Sequence, residues 1–194
     1  MANLTENRLC CGGKARLKAG LAWLRSWITS PQYEAGLAQI DQLLARSTSR
    51  WAGHTLYESS DWRVALFGMA PWAELPLHDH PGTRGLVHVV DGTVRVNRFE
   101  IGRARSSTRF AELRHRGSRH LVTGDSEVFG RRYHNIHALQ AGAERTLILS
   151  ARNRLGAERE GSLYTPLSSD ESNLNGLIPA FVLKHQLHAH PTME

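Results

Sequence analysis

From residue 51 onward the chain is a series of short apolar segments separated by turns, and this pattern limits its fold more than any other feature. The segments are rich in Val, Leu and Ile, and turn sequences such as Asp91-Gly92 stand between them. The predicted strands, with a turn inside the fifth, cover residues 61–70, 75–80, 84–90, 93–100, 120–131, 135–141, 145–153 and 177–185. Many short strands joined by Gly-containing turns are typical of an all-β sandwich or barrel.

The N-terminal part of the chain carries a helical pattern instead. Apolar residues recur at helical spacing within residues 14–28 and again within residues 31–46. Ser30 followed by Pro31 is typical of a helix start, because serine caps the first backbone N–H groups and proline suits the first turn. We therefore expect two amphipathic helices ahead of the β-rich region.

The length of 194 residues is that of one domain with a substantial core. We expect three segments within it: a helical segment over residues 1–50, a barrel over residues 51–155, and an extension over residues 156–194 that packs partly on the barrel.

Charge and hydropathy exclude some classes of function. The net charge is +6, but the arginines are scattered and no nucleic-acid-binding motif accompanies them, so we expect no nucleic-acid partner. The apolar runs are far shorter than the roughly 20 residues that span a bilayer. The N-terminus shows no apolar segment with a cleavage site, which predicts a cytoplasmic protein.

The two cysteines, Cys10 and Cys11, are adjacent and lie far in sequence from most of the histidines. Neighbouring cysteines rarely form a disulfide with each other. Unless the N-terminus folds back, a Cys/His zinc site or a cysteine nucleophile beside those histidines is excluded.

The stretch LPLHDHPG, residues 75–82, places two histidines one residue apart on a predicted strand. Side chains alternate between the faces of a strand, so His78 and His80 project to one side, about 7 Å apart along the chain, and Asp79 projects to the other. That arrangement suits two imidazoles on one metal ion, without Asp79 as a ligand. With 11 histidines in the chain, a surface pair that binds nothing is the open alternative.

A two-histidine site needs a further ligand, and YHNIHAL, residues 133–139, offers two candidates. His134 and His137 lie on opposite faces of a regular strand, so only one of them can point into a barrel. The pattern alone leaves the choice open.

HDHPG, the later Gly92 and the segment NIH together resemble the cupin pattern. Most cupins carry a glutamate shortly after the second histidine, whereas positions 84 and 85 are Arg and Gly here. That departure resembles the cupin thiol dioxygenases. Over roughly residues 54–153 the sequence is most similar to the cysteamine (2-aminoethanethiol) dioxygenase and plant cysteine oxidase group.

The resemblance implies a double-stranded β-helix, the jelly-roll barrel of cupins, with an Fe(II) ion as cofactor. It assigns the third metal ligand to the histidine of the NIH segment. The candidate residues are, for the metal, His78, His80 and His137; for hydrogen bonds around the metal ligands, His88, Tyr133 and Asn135; and for the substrate, Arg63 and Arg84.

The chemistry that the resemblance implies follows from these ligands. Three neutral imidazoles leave Fe(II) its full charge and about three open positions, which favours an anionic ligand such as a thiolate. The expected reaction adds both atoms of O₂ to the sulfur of a small aminothiol, or of an N-terminal cysteine on a peptide, to give a sulfinate.

The family's usual Pro-Pro-Tyr is replaced by SARNRLG, residues 150–156, which motivates an alternative metal-dependent cupin enzyme with a non-thiol substrate. The N-terminal helices and the basic charge motivate another, a non-catalytic cupin binding module.

Overall fold

A computed structural model describes residues 14–102, 109–130, 135–154, 161–167 and 177–184. Two helices come first: α1 spans Lys14–Ser26 and α2 spans Pro31–Arg46, with a short 3₁₀ turn at Trp27–Thr29 between them. The first helix therefore ends two residues before the predicted boundary at residue 28, because its last residues tighten into the 3₁₀ turn.

The start of α2 follows the sequence prediction. The Ser30 hydroxyl accepts a hydrogen bond from the backbone N–H of Tyr33 at 3.2 Å, and Pro31 lies in the first turn. The predicted N-cap is thus confirmed, and it satisfies one of the backbone donors that a helix start leaves unpaired.

Eleven strands follow in the described part of the chain. Their bounds are β1 Trp51–Glu58, β2 Trp62–Met69, β3 Glu74–Asp79, β4 Thr83–Asp91, β5 Thr93–Ile101, β6 Phe110–Val122, β7 Ser126–Phe129, β8 Ile136–Ala141, β9 Thr146–Arg154, β10 Ser162–Pro166 and β11 Leu177–Lys184. Each predicted segment contains strand, but β1, β10 and the first ten residues of β6 (110–119) were not predicted. β1 carries Gly53, which weakens a strand pattern yet leaves room for the Phe67 ring.

The strands form two sheets. One is five-stranded in the order β1-β2-β9-β4-β7, and the other closes on itself in the order β10-β11-β6-β5-β8-β3. β10 and β11 come from the predicted C-terminal extension and pair with β3 and β6. The predicted all-β double-stranded β-helix with two N-terminal helices is confirmed, while the division into three segments stays a prediction.

The main apolar core lies between the two sheets. Its buried side chains come from eight strands, β2 to β9, and the turn before β3, and they include Met69, Ala73, Leu75, Val87, Val94, Leu121, Phe129, Leu139 and Ile148. This core forms the floor of the candidate site described below.

The helices cover the other face of the five-stranded sheet. The buried residues of this second core are Leu24, Tyr33, Ile40, Ala52, Leu56, Val64, Leu66, Leu86, Leu149 and Ala151. A Cβ atom on Gly36 would lie 2.7 Å from the Leu56 side chain, so α2 approaches β1 through a residue without a side chain. No helix in the described part is long and apolar enough to cross a membrane.

Candidate metal centre

Three buried histidines converge at one end of the core. His78 lies in β3, His80 follows that strand, and His137 lies in β8 directly opposite His78. Their ring centroids are 4.7 Å apart for His78–His80, 4.7 Å for His78–His137 and 5.2 Å for His80–His137. One nitrogen atom from each ring lies within 4.8 Å of the others, which is a geometry that can hold a metal ion.

An irregularity in β3 aims His78 into this site. The register between β3 and β8 shifts between Leu75 and His78. Residues three apart face opposite sides of a regular strand, yet Leu75 and His78 both line the same pocket. The bulge therefore adds one residue that reverses the alternation, as bulges beside functional sites commonly do.

Asp79 faces away from the histidines, as the alternation predicts. One of its carboxylate oxygens accepts the backbone N–H of Ser162 at 2.6 Å, and the other accepts the hydroxyl of Tyr164 at 2.7 Å. Asp79 is 7% exposed, so these bonds satisfy a buried charge. The side chain ties β3 to β10 and contributes no ligand to the histidine cluster.

Burial keeps His78 and His80 in the neutral form that binds a cation. Burial, followed by the charge of His137, lowers the pKa of His78 to about 3, and burial lowers the pKa of His80 well below its ordinary value. His78 donates from Nδ1 to the carbonyl oxygen of Pro76 at 2.7 Å, which leaves the Nε2 lone pair for a ligand. The donor set fits a divalent transition metal such as Fe(II).

His80 makes a different contact. Its Nδ1 accepts a hydrogen bond from Nη1 of Arg152 at 3.0 Å, so its proton lies on Nε2. The ring of Phe129 stacks on His80 with centroids 4.9 Å apart. Asn135 accepts the backbone N–H of His80 through Oδ1 at 3.2 Å and so holds the chain just after β3.

The pocket beside the histidines has two unlike sides. We call the side from β3 and β8 the histidine wall (His78, His80 and His137), and the side from β2 and β9 the arginine wall (Arg63 and Arg152). Apolar and small side chains complete the lining: Trp51, Ala65, Phe67, Leu75, Val87, Phe129, Leu139, Ile148 and Ser150.

Two predicted residues lie outside this pocket. Val87 of β4 lines it, and both Arg84 and His88 are an odd number of residues away, so they face the other side of the strand. Arg84 is exposed, and His88 contacts the Asp125 carbonyl and the Ser126 hydroxyl through Nδ1 at 3.0 and 2.9 Å. The expectations that Arg84 binds substrate and that His88 supports the metal ligands therefore need correction.

The remaining predicted residues divide into two groups. Arg63 lines the pocket and Asn135 contacts the backbone of His80, so the structure brings both to the site. Tyr133 lies outside the described residues, as does His134, the alternative third ligand.

Sequence reasoning missed Arg152. It stands directly opposite Arg63 in the pairing of β2 with β9, and both side chains line the pocket. No short motif contains this pair, because the two strands are distant in sequence. Finding Arg152 from the sequence would have required a prediction that β2 pairs with β9, and in which register.

Comparisons with known proteins agree with this picture. A family model described as PCO_ADO matches residues 31–151. Human 2-aminoethanethiol dioxygenase is 38% identical over 42 residues, which cover 22% of this chain and only 16% of that protein.

Solved structures similar to this chain include a double-stranded β-helix protein from Klebsiella pneumoniae, with 18% identity and a TM-score of 0.46 over 63% of this chain and 91% of that one. KdgF from Halomonas shares 16% identity with a TM-score of 0.43, over 56% and 85% of the two chains.

Proposed function

The chain belongs to the PCO_ADO family of cupin thiol dioxygenases, and we propose that it is a non-haem Fe(II) enzyme that converts a small thiol to a sulfinate. The proposed ligands are His78, His80 and His137. The observation that carries the proposal is the convergence of these three buried rings, one nitrogen of each within 4.8 Å of the others. The family and the named human relative favour a small aminothiol or an N-terminal cysteine as the thiol.

The ligand set supports a thiol rather than a neutral substrate. The cluster found among the described residues contains histidines without a carboxylate, and Asp79 points to the other face of β3. A divalent ion on three neutral imidazoles keeps its positive charge, which favours a bound thiolate over an alcohol or an amine. Fe(II), held by these three histidines, would supply the redox chemistry that joins a thiolate to O₂.

The protein's own residues orient the site and keep water from it. The Pro76 carbonyl fixes the ring of His78, and Asn135 fixes the backbone of His80. The apolar lining, with Phe129 stacked on His80, limits water around the reacting sulfur. In the net reaction a thiolate and O₂ give a sulfinate, and the oxygen atoms take the electrons that sulfur loses, so no further reductant is consumed.

The direct test measures O₂ consumption by the Fe(II)-loaded protein with cysteamine, a Cys-initiated peptide, L-cysteine and 3-mercaptopropionate. We expect uptake that depends on thiol and on Fe(II), with loss of uptake in His78→Ala. His88→Ala is the matched control, because His88 is a histidine that faces away from the pocket. Absence of uptake with every thiol, in protein shown to hold iron, would contradict the proposal.

A further inference from the structure

A buried ion pair lies beside the third histidine of the cluster. Arg98 of β5 is the direct partner of His137 in the pairing with β8, just as His78 is its partner on the β3 side. Residues directly opposite each other in a sheet point to the same face, so the arginine and the two histidines form one row. The Arg98 side chain is 18% exposed, and its Nη1 lies 3.5 Å from Oε1 of Glu127. A permanent positive charge therefore adjoins a candidate metal ligand.

Glu127 holds this guanidinium from the opposite sheet. The glutamate lies in β7, and its side chain is only 8% exposed. Its other carboxylate oxygen, Oε2, accepts a hydrogen bond from Nη1 of Arg119 in β6 at 2.6 Å. The carbonyl oxygen of Gly117 accepts a longer bond from Nε of Arg98 at 3.5 Å. These contacts fix one positive and one negative charge at the edge of the core.

A small cavity joins the ion pair to the candidate metal site. Its lining contains Arg98, Glu127, His137 and Phe129. Apolar side chains complete the lining: Val87, Val96 and Leu139. The Phe129 ring lies 4.9 Å from the ring of His80 and 5.2 Å from that of His137, between centroids. Such surroundings screen charge poorly, so a metal ion held by the histidines would interact with this pair more strongly than with surface charges.

We propose that Arg98 and Glu127 tune the metal site in opposite directions: Arg98 weakens the hold on the cation and strengthens the binding of an anion to that cation, and Glu127 does the reverse. The inference rests on the proposed metal site and adds residues that divide its affinity between metal and thiolate. A guanidinium repels a divalent ion and attracts an anionic ligand of that ion, whereas a carboxylate does the opposite. Neither residue belongs to the histidine cluster, so each acts through its charge beside His137.

The signs of the effects separate an electrostatic role from a structural one. A variant that only loosens the fold around His137 weakens the binding of both metal and anion. Removal of one charge instead changes the two affinities in opposite directions, and removal of the other charge reverses both changes. Arg63 and Arg152 also line the pocket, but they are the same in every variant, so their contribution cancels in the comparison.

Co(II) and azide serve as the cation and the anion in the test. The dissociation constant of Co(II) is measured by titration of the metal-free protein against a competing chelator, and that of azide by absorption titration of the Co(II)-loaded protein. In Arg98→Gln we expect Co(II) to bind about 3- to 10-fold more tightly and azide about 3- to 10-fold more weakly, the scale expected for a partly buried charge near the ion. In Glu127→Gln we expect both changes with the opposite sign.

The ion pair between Arg116 and Glu100 supplies matched controls. It joins β6 to β5, the strand of Arg98, but its side chains are 45% and 37% exposed. Arg116→Gln and Glu100→Gln make the same charge changes close to solvent, where screening is strong, so both affinities should stay within about twofold. Arg119→Gln is an intermediate case, because that side chain is 50% exposed. It should change both affinities in the direction of Arg98→Gln by a smaller factor.

The combination of signs decides the outcome. Weaker binding of both Co(II) and azide in both variants overturns the proposal, as do changes no larger than those in Arg116→Gln and Glu100→Gln. If Arg98→Gln or Glu127→Gln fails to fold, Arg98→Met and Arg119→Gln are judged by the same signs. A protein that does not bind Co(II) at all would contradict the metal site itself. Thiol-dependent O₂ uptake without the opposite signs would keep the proposed function and reject the tuning by charge.

Discussion

The histidine wall and the arginine wall face the same pocket, but they are encoded in different ways. Two of the three residues of the histidine wall, His78 and His80, are one residue apart, and strand alternation alone places them together, whereas His137 joins them through the pairing of β3 with β8. Arg63 and Arg152 meet only because β2 pairs with β9 in one register. A site built within one segment can be recognised from sequence, whereas a site built across strands becomes visible only once the sheet is known.

The largest expected effect separates the two candidate third ligands on the histidine wall. His137→Ala should weaken metal binding by more than about 100-fold, because even residues that only support a ligand change affinity 10- to 100-fold. His134→Ala should leave much of the binding intact. Metal content after gel filtration and Fe(II) titration measure both variants. Loss of metal in His134→Ala with retention in His137→Ala would show that His134, the residue just before the NIH segment, is the third ligand.

Asp79, on the face of β3 opposite the candidate metal ligands, should contribute to the stability of the fold. Asp79→Ala leaves the N–H of Ser162 and the hydroxyl of Tyr164 buried without this acceptor, which should lower the free energy of unfolding by about 2–4 kcal/mol. Tyr164→Phe should cost less, about 1–2 kcal/mol. Urea denaturation of the metal-free protein measures both.

Asp61→Ala is the control for those variants, because Asp61 is exposed and should stay within about 0.5 kcal/mol of the original protein. A loss no larger in Asp79→Ala than in Asp61→Ala would mean that the link between β3 and β10 adds nothing to stability.

The lowered pKa of His78 predicts a pH dependence of stability in the metal-free protein. The folded-state pKa is about 3 and the unfolded value is 6.5, so between them the unfolded chain binds the extra proton. The contribution of the neutral ring is complete above pH 6.5 and is lost progressively below it, by about 2 kcal/mol at pH 5.

Thermal denaturation of metal-free protein at a series of pH values measures this loss. His78→Gln cannot titrate and should show a shallower decline from pH 6.5 to pH 5. The same decline in both proteins would show that His78 is not held neutral by the fold.

The smallest expected effect concerns the helices, which cover only the sheet that carries the arginine wall. Ser30→Ala removes the cap of α2 and should lower the free energy of unfolding by about 1 kcal/mol. Metal affinity should not change, because the buried strand residues in the core around the helices come from the five-stranded sheet, whereas His78 and His137 lie on strands of the other sheet. A parallel loss of Fe(II) affinity would mean that the two walls are coupled through the helices.

The sequence predicted the fold and two of the three histidines of the histidine wall. The pair His78 and His80 followed from alternation, but the third ligand was assigned by resemblance, since spacing left His134 and His137 equivalent. Arg84 and His88 were placed wrongly because the turn at Pro81-Gly82 hides which face of β4 points inward. The bulge between Leu75 and His78 has no sequence signature of its own, because it depends on the pairing with β8.

The most direct test of the central claim follows the oxygen atoms. The Fe(II)-loaded protein is allowed to turn over 3-mercaptopropionate, L-cysteine and cysteamine separately under isotopically labelled O₂, and the products are analysed by mass spectrometry. A thiol dioxygenase at this site gives a sulfinate in which both oxygen atoms carry the label. A disulfide product, or a sulfinate whose oxygen comes from water, would contradict the account.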